Sequence, residues 1–475
     1  MKLLLIATVL GWTLGAHANT DVLIKVAPHT LENFDVQSLF AVSGGKVEKL
    51  SDQWVRIQSD KKMDLQSLQQ HEAVEFVQPN YPLSLLNDYK IQDPLRRAAL
   101  KKMLNRNPHL VEATKVPADN PEIPAAPAKT PGLDPLLNKQ WGLVDNGVDK
   151  AWKVTKGNKD IVVAVLDTGV DYTHEDLVAN MWRNTKEIPN NNIDDDNNGY
   201  VDDIVGWDFV SNDNKPYDLI VEPLEMLFGG GNPGHGTHCA GNVAATGDNG
   251  KGVAGVAPNV KIMALRFISE KGSGTTADAI KAIRYAVDNG ALITSNSWGS
   301  EGSPNDPASE NVALKEAIQY AQDKGTLFVA AAGNGRKGTG FNMDGDANPV
   351  IPASYDFDSI ISVAAIDVRD NLGTFSNFGT KLVDIGAPGV AVFSTTVDNK
   401  YSDIVIDKFG FKATWDGTSM ATPHVAGAAA LYWSQHPNAT WQDVKNAILS
   451  TAKKTNTLQG KVGTGGKLSV QDLIK

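Results

Sequence analysis

The sequence of 475 residues contains a single cysteine, Cys239, and fewer basic than acidic side chains, 44 against 55. One cysteine excludes an internal disulfide bond, so stability has to come from a packed core and from bound metal. The formal net charge of −11 argues against a nucleic-acid partner, because nucleic-acid binding needs clustered positive charge. Long apolar runs are also lacking after residue 18, so we expect no membrane anchor there.

The first 18 residues have the pattern of a secretory signal. They contain one lysine, an apolar run from Leu3 to Leu14 and a small-residue cleavage box that ends at Ala18. A spanning helix needs about 20 apolar residues, and this run is shorter. We therefore predict a signal peptide over residues 1–18 and a secreted protein, extracellular or periplasmic if the source has an outer membrane.

The rest of the chain divides into three parts by composition and periodicity. Residues 19–86 alternate short apolar runs with polar helical stretches, which predicts a small α+β domain. Residues 87–133 are first basic and then rich in Pro and Ala, which indicates an exposed, extended linker. Residues 134–475 predict an α/β domain, a mainly parallel sheet with helices on both faces, whose ligands bind beyond the carboxyl ends of the strands.

Three segments of the α/β part place a reactive residue beside a glycine-rich turn: Asp167 in VAVLDTGVD, His235 in NPGHGTHCAG and Ser419 in GTSMATPHVAG. A serine nucleophile needs a base for its proton and a carboxylate that holds the base in the right tautomer. Taken singly, each residue has an ordinary alternative as a cap or turn residue. Their joint occurrence in the order Asp, His, Ser favours a catalytic triad.

These segments resemble the Asp, His and Ser signatures of the subtilase family, for which that chain order is the standard example. The resemblance covers residues 134–475, and the region before them resembles the family's inhibitor-type propeptide. It implies Asp167 as orienting acid, His235 as general base and acid, and Ser419 as nucleophile. It also implies a secreted, monomeric, calcium-binding endopeptidase of polypeptides, made as a self-processing zymogen that its own propeptide inhibits.

Further residues follow from the same resemblance. The Asn334 amide can donate to a developing oxyanion together with the backbone N–H of Ser419. The resemblance also predicts a set of substrate-binding residues, which are Gly272, Ser273, Gly274, Ser297, Trp298, Gly299, Ala331, Ala332 and Gly333. The alternative is that these residues belong to ordinary glycine-containing loops. The small residues among them would leave a roomy apolar pocket. We expect broad specificity with a preference for large apolar residues before the scissile bond.

An acidic loop predicts a calcium site. Its candidate ligands are Asp194, Asp196, Asn198, Tyr200, Asp202 and Asp203. The acids alternate as in calcium loops, and Gly199 allows the sharp turn. The loop departs from the EF-hand, since position twelve would be Val205, so Asp202 or Asp203 must close the site. The alternative is a solvated acidic loop. The resemblance alone implies a second calcium site, with ligands Asp134, Asp176 and Asp248.

Other functions fit the sequence less well. An aspartic peptidase needs two Asp-Thr/Ser-Gly loops, and LDTG occurs once, around Asp167. An inactive binding protein of the same fold is a further alternative. All four predicted catalytic positions hold the expected residue, so inactivity would need a defect elsewhere. A peptide ligase would use the same triad and differ only in its product. Cys239 lies one helical turn after His235, and we expect it to be a small buried apolar residue.

Overall fold

The computed structural model describes all residues except 1–19, 34–44, 62, 64–67, 88, 108–120, 126–130 and 301–310. The predicted signal peptide therefore lies outside the described residues, as does much of the Pro-rich part of the linker. None of the helices in the described ranges is long and apolar enough to cross a membrane. The chain divides into two compact units, Met1–Asn80 and Tyr81–Lys475.

The first unit is a four-stranded antiparallel sheet with the order β2-β3-β1-β4. Its elements are β1 (Thr20–Val26), α1 (Thr30–Asn33), β2 (Gly45–Lys49), β3 (Trp54–Ser59) and β4 (Val74–Pro79). The apolar runs of the sequence predict β1, β3 and β4. Their inward side chains, such as Ile24 and Ile57, form the buried core of the unit. β2 has no such run: its sequence, GKVEK, is mostly polar, and none of its residues is fully buried.

The second unit is built on a nine-stranded sheet with the order β19-β20-β14-β13-β12-β10-β6-β8-β7. Its strands are β6 (Val162–Asp167), β7 (Gly206–Asp208), β8 (Lys261–Arg266), β10 (Ile293–Asn296), β12 (Leu327–Ala331), β13 (Ile360–Ile366), β14 (Ile385–Pro388), β19 (Lys453–Lys454) and β20 (Gly466–Lys467). All neighbours are parallel except β19 and β20. The predicted mainly parallel sheet is therefore confirmed.

Smaller sheets border the central one. A three-stranded antiparallel sheet has β5 (Pro82–Leu85) in the middle, between β9 (Ser273–Thr275) and β11 (Trp298–Gly299). The remaining strands form two hairpins, β15 (Ser394–Thr396) with β16 (Lys400–Ser402), and β17 (Ile404–Lys408) with β18 (Phe411–Thr414).

Helices cover the central sheet. Those of the second unit are α2 (Pro94–Arg106), α3 (Trp141–Asp145), α4 (Val148–Ala151), α5 (Pro223–Gly229), α6 (His235–Ala244), α7 (Thr276–Asp288), α8 (Val312–Asp323), α9 (Thr418–Gln435), α10 (Trp441–Ser450) and α11 (Val470–Leu473). α6 packs on α9, and α7 packs on α8. Every residue of the central strands β6, β10, β12 and β13 is buried, which requires cover on both faces of the sheet.

Two boundaries differ from the sequence-based prediction. The second compact unit begins at Tyr81, so β5 belongs to it and not to the domain predicted to end at residue 86. The range 87–133 was predicted to be an extended linker, but it contains α2, which Asp93 caps and Pro94 begins. Leu100 and Leu104 lie one helical turn apart and are both buried. Their spacing is a helix signal that the basic composition of the segment obscures.

A buried ion pair yields a stability prediction. Arg266 on β8 donates to Asp208 on β7 over 2.6 Å, and both side chains are 1% exposed. Arg266→Met should lower the free energy of unfolding by about 3–5 kcal/mol, because it leaves a buried carboxylate without its counter-charge. Adding Asp208→Asn removes that charge, keeps an acceptor for the N–H groups of Val210 and Ser211, and should recover much of the loss. Denaturation in urea measures both variants, and equal stability of wild type and Arg266→Met would contradict the prediction.

Candidate active site

Asp167 and His235 meet at the carboxyl end of the central sheet. Asp167 is the last residue of β6, and His235 is the first residue of α6. The Nδ1 atom of His235 lies 2.7 Å from Oδ1 of Asp167, and both side chains are buried. Gly236 lets the helix approach, since a Cβ there would lie 2.0 Å from the backbone oxygen of Gly169. The pair is therefore formed in this structure.

A second carboxylate that the sequence did not suggest, Asp218, holds this pair in place. It accepts hydrogen bonds from Thr168 Oγ1, next to Asp167, and from the N–H and Oγ1 of Thr237 on α6. It also accepts from Nδ2 of Asn232, whose Oδ1 accepts the N–H of His235. Asn232 lies two residues before the N-cap Gly234, and its Oδ1 accepts the N–H groups of Gly234 and His235. No local sequence pattern marks Asp218.

Burial and charge act in opposite directions on this pair. Burial alone would lower the pKa of His235, but the Asp167 carboxylate overrides it and holds that pKa well above its ordinary value. Burial raises the pKa of the Asp218 carboxyl, while the hydrogen bonds that it accepts oppose this shift. The geometry shows that Nδ1 of His235 is the nitrogen that hydrogen-bonds to Asp167. Its Nε2 atom has no hydrogen-bond partner among the described residues and is the atom left for proton transfer.

Ser419 and Asn334 are joined through the start of α9. Ser419 is the second residue of that helix, and its Oγ donates to the backbone oxygen of Ser297 over 3.2 Å. Oδ1 of Asn334 accepts from the N–H and Oγ1 of Thr418, which fixes the orientation of the amide. The amide nitrogen of Asn334 consequently faces the cleft beside Ser419.

The cleft is filled by the chain itself. β5 pairs with β9 on one side and with β11 on the other, so that Ser84 lies opposite both Ser273 and Gly299. The next residue but one, Leu86, directs its carbonyl oxygen to Nδ2 of Asn334 over 3.2 Å. An extended segment that pairs on both edges and ends at a side-chain donor has the arrangement of a bound peptide.

The side chain of Leu86 marks a pocket. It belongs to a buried apolar cluster with Ala331, Ala332 and Val350. A Cβ added at Gly299 would lie 3.4 Å from Cδ2 of Leu86, so that glycine forms one wall. The small residues of the sequence thus surround an apolar side chain.

The structure places the other predicted substrate-binding residues in different ways. Gly272 accepts the N–H of Leu85 through its backbone oxygen, and Gly274 lies opposite Leu83. Trp298 contributes only its backbone, because its ring is fully buried against Phe267 and Phe328. The remaining two lie behind the cleft: Ser297 donates to the backbone oxygen of Ser419, and Gly333 donates to Thr418.

Cys239 is buried one turn along α6. Its Sγ lies 3.9 Å from Nδ1 of His235 and 3.4 Å from the backbone oxygen of Ser419. Burial raises the pKa of the thiol. A protonated thiol is a poor nucleophile, which agrees with the apolar role expected for this residue.

The acidic loop gathers carboxylate oxygen atoms, and one candidate ligand among them, Glu187, was not predicted from the sequence. Glu187, Asp194 and Asp196 can each place one carboxylate oxygen within 4.8 Å of the others. Glu187 lies outside the alternating motif and accepts the N–H groups of Asp195 and Asp202. Carboxylates this close repel each other unless a cation lies between them, and oxygen ligands suit calcium.

The other predicted ligands of this loop are engaged differently. Asn198 donates through its amide to Asp203, which also binds Asn184 and Tyr285. Burial raises the pKa of Asp203 to about 6. The remaining predicted ligands anchor the loop: Asp202 accepts the N–H groups of residues 191 and 192, and the Tyr200 ring packs on Trp207 and Tyr285.

The second predicted calcium site is only partly assembled. Asp134 accepts the N–H groups of Asp248 and Asn249, and the Asn249 side chain donates to Asp176. The Asp248 side chain instead pairs with Lys156. The predicted ligand Asp248 is therefore turned away, and the next residue, Asn249, contacts Asp176 through its amide nitrogen, which is not a calcium ligand.

Comparison with known proteins identifies the family of this chain. The model of the subtilase family matches residues 158–465. A thermophilic serine proteinase of Bacillus sp. (strain AK1) is 39% identical over 356 residues, 75% of this chain and 71% of that protein. Thermitase of Thermoactinomyces vulgaris is 35% identical over 325 residues, 68% of this chain and 92% of its own. Subtilisin DY of Bacillus licheniformis is 36% identical over 293 residues, 62% of this chain and 84% of its own. The chain belongs to the subtilase family and is a subtilisin-like serine peptidase.

Proposed function

We propose that this peptidase is a secreted, calcium-binding endopeptidase that is made as a zymogen and first cuts itself between Leu86 and Asn87. The observation that carries the proposal is the carbonyl oxygen of Leu86, which accepts from Nδ2 of Asn334 over 3.2 Å while β5 is paired on both edges. The apolar run of residues 1–18 supports secretion.

The proposed reaction uses the two nitrogen atoms of His235 separately. Asp167 holds Nδ1, and Nε2 takes the proton of Ser419 Oγ once that hydroxyl turns from Ser297. Oγ then forms a bond to the carbonyl carbon before the scissile bond, and the oxyanion is stabilised by the Asn334 amide and the backbone N–H of Ser419 in the first turn of α9.

The intermediate collapses in two stages. His235 gives its proton to the leaving amine, the C–N bond breaks and an ester to Ser419 remains. Water then loses a proton to His235 and attacks the ester carbon; the bond from that carbon to Oγ breaks, His235 gives its proton to Oγ, and the carboxylic acid is released. In self-processing the leaving amine is that of Asn87, and polypeptide substrates follow the same steps in a monomeric mature enzyme.

The cleft supports the proposed specificity. Backbone pairing along β9 and β11 holds an extended peptide with little choice of sequence. The pocket around Leu86, with Ala331, Ala332 and Val350, fits a large apolar side chain before the scissile bond. We therefore propose broad specificity with that preference, and an inhibitor role for the first compact unit, which continues directly into β5.

Calcium is part of the proposal because the donors fit it. Glu187, Asp194 and Asp196 offer clustered carboxylate oxygens, which a cation would neutralise and hold together. A second calcium site is proposed at Asp134 and Asp176, two carboxylates that the backbone N–H and the side-chain amide of Asn249 join near the start of the catalytic domain. In both places calcium would act on stability, since neither set contacts the triad in the described structure.

The charge of Asp167 should govern both rate and pH dependence. Asp167→Asn should lower kcat about 10⁴-fold, because the amide favours the wrong tautomer of His235. His235 acts as a base only when neutral, so activity in wild type falls as pH drops through its raised pKa. Without the carboxylate, burial lowers that pKa, and the residual activity should persist to lower pH. Asp160→Asn, an exposed control just before β6, should match wild type in rate and pH dependence. If the activity of Asp167→Asn falls at the same low pH as that of wild type, the role of Asp167 as orienting acid is refuted.

Self-cleavage should depend on Ser419. Ser419→Ala should accumulate as a precursor that begins near Asn19, whereas wild type should lose residues 19–86 and first show a new N-terminus at Asn87. Ser434→Ala, which removes a hydroxyl further along α9, is the control and should process like wild type. The measurement is intact mass after purification without other proteases. Processing of Ser419→Ala at the same bond and rate would mean that an external protease makes the cut.

Chelation should destabilise the protein through the acidic loop. A ligand that binds only the folded state stabilises it by about 2.7 kcal/mol at one hundred times its Kd, so EDTA should lower Tm. Glu187→Gln should have a lower Tm in calcium and respond less to EDTA. Asp195→Asn, beside the cluster but outside it, should keep the full response. If EDTA leaves Tm unchanged after metal removal is verified by elemental analysis, the calcium assignment is wrong.

A further inference from the structure

The segment that follows the proposed scissile bond is anchored on the catalytic unit independently of β5. Asn87 donates to the backbone oxygen of Asp416 and to the hydroxyl of Tyr89. The Tyr89 ring meets Trp415 edge-on at 6.3 Å, and Trp415 lies 6.3 Å from the ring of His235. The first residues after the bond therefore contact Trp415 and Asp416, and the Trp415 ring separates Tyr89 from His235 on the leaving-group side of the cleft.

The anchoring continues beyond Tyr89. The N–H of Ile91 donates to the backbone oxygen of Leu227 over 2.9 Å. Further along, Arg97 donates to the backbone oxygen of Phe228 over 2.5 Å and lies 5.7 Å from the centre of that ring. The segment is thus tied at two points to α5, the helix that lies between Asp218 and His235 in the chain.

Apolar packing provides the larger contact. Ile91, Leu100 and Leu104 are buried in a cluster that is separate from the main core of the domain. The catalytic domain contributes residues of α5 and of the β17–β18 hairpin to this cluster, which are Leu224, Met226, Leu227 and Ile406. The opposite face of α2, including Ala98 and Asn105, is exposed. One face of α2 is therefore buried against α5 and the β17–β18 hairpin, and the other face is exposed.

We infer that residues 89–106 are a second inhibitory element, docked on α5 and the β17–β18 hairpin, and that full activity requires a second cut beyond Arg106. The inference rests on the proposed function, because it takes Leu86–Asn87 as the first bond cut. That cut separates β5 from Asn87 but breaks none of the contacts of Tyr89, Ile91 or α2. The leaving-group side of the cleft then stays covered, and a protein substrate cannot lay its own chain there.

The test follows processing of the full chain and compares the N-terminus with activity on a protein substrate at each time. We expect the species that begins at Asn87 to have low activity, and full activity to rise only as the N-terminus passes Arg106. Full activity of the Asn87 species, or a final product that still begins at Asn87, would overturn the inference. This experiment uses the wild-type chain, so a folding defect of a variant cannot affect its result.

A matched pair of variants tests the docking surface directly. Leu100→Asp with Leu104→Asp places two charges in the buried cluster, and should shorten the delay between the first cut and full activity about tenfold or more. Ala98→Asp with Asn105→Asp adds the same charges to the exposed face of α2 and should keep the wild-type delay. An unchanged delay in the leucine variant, with Leu86–Asn87 cut normally, would refute the inhibitory role.

The two proposals fail in different ways. If Ser419→Ala is cut at Leu86–Asn87 as fast as wild type, self-processing fails, whatever α2 does. If wild type cuts that bond through Ser419 but is fully active at once, self-processing stands and the second inhibitory element does not exist.

Discussion

The site depends on a buried carboxylate that takes no part in the chemistry. Asp218 accepts hydrogen bonds from the residue after Asp167, from the first turn of α6 and from Asn232. These contacts join a strand end, a helix start and the loop before that helix, which are far apart in the chain. The 2.7 Å contact between Asp167 and His235 requires β6 and α6 to keep a fixed separation. A buried, fully engaged carboxylate supplies that constraint because releasing any one donor would leave charge without compensation in the interior.

The sequence alone predicted the parts of the fold that rest on strong local patterns. The apolar runs of β6, β8, β10, β12 and β13 are buried on both faces, and such strands have few other stable arrangements than a covered parallel sheet. Asp167, His235 and Ser419 were found because each stands in a distinctive glycine-containing motif. β7 and the β17–β18 hairpin were not predicted, because they are short and owe their conformation to neighbours distant in the chain.

The site residues that the sequence did not predict are those whose position depends on tertiary contacts. Glu187 reaches the acidic loop from outside the alternating motif, and Asp218 meets Thr237 from 19 residues earlier in the chain, so local spacing gives no hint of either. Asn249 and Asp248 are adjacent, and only the backbone conformation decides which side chain turns toward Asp176. Helix α2 was hidden by its basic composition, although Leu100 and Leu104 lie one turn apart. Local pattern identifies reactive groups, whereas tertiary contacts decide which of them meet.

The amide of Asn334 has a consequence for how the enzyme loses function. Its oxygen is bound by the N–H and hydroxyl of Thr418, the residue immediately before Ser419. The amide that we propose to stabilise the oxyanion is therefore hydrogen-bonded to the same helix turn that carries Ser419, the proposed nucleophile. Fraying of that turn would withdraw both groups together, so heating should produce an all-or-none population of competent and dead molecules rather than a gradual weakening of each catalytic cycle.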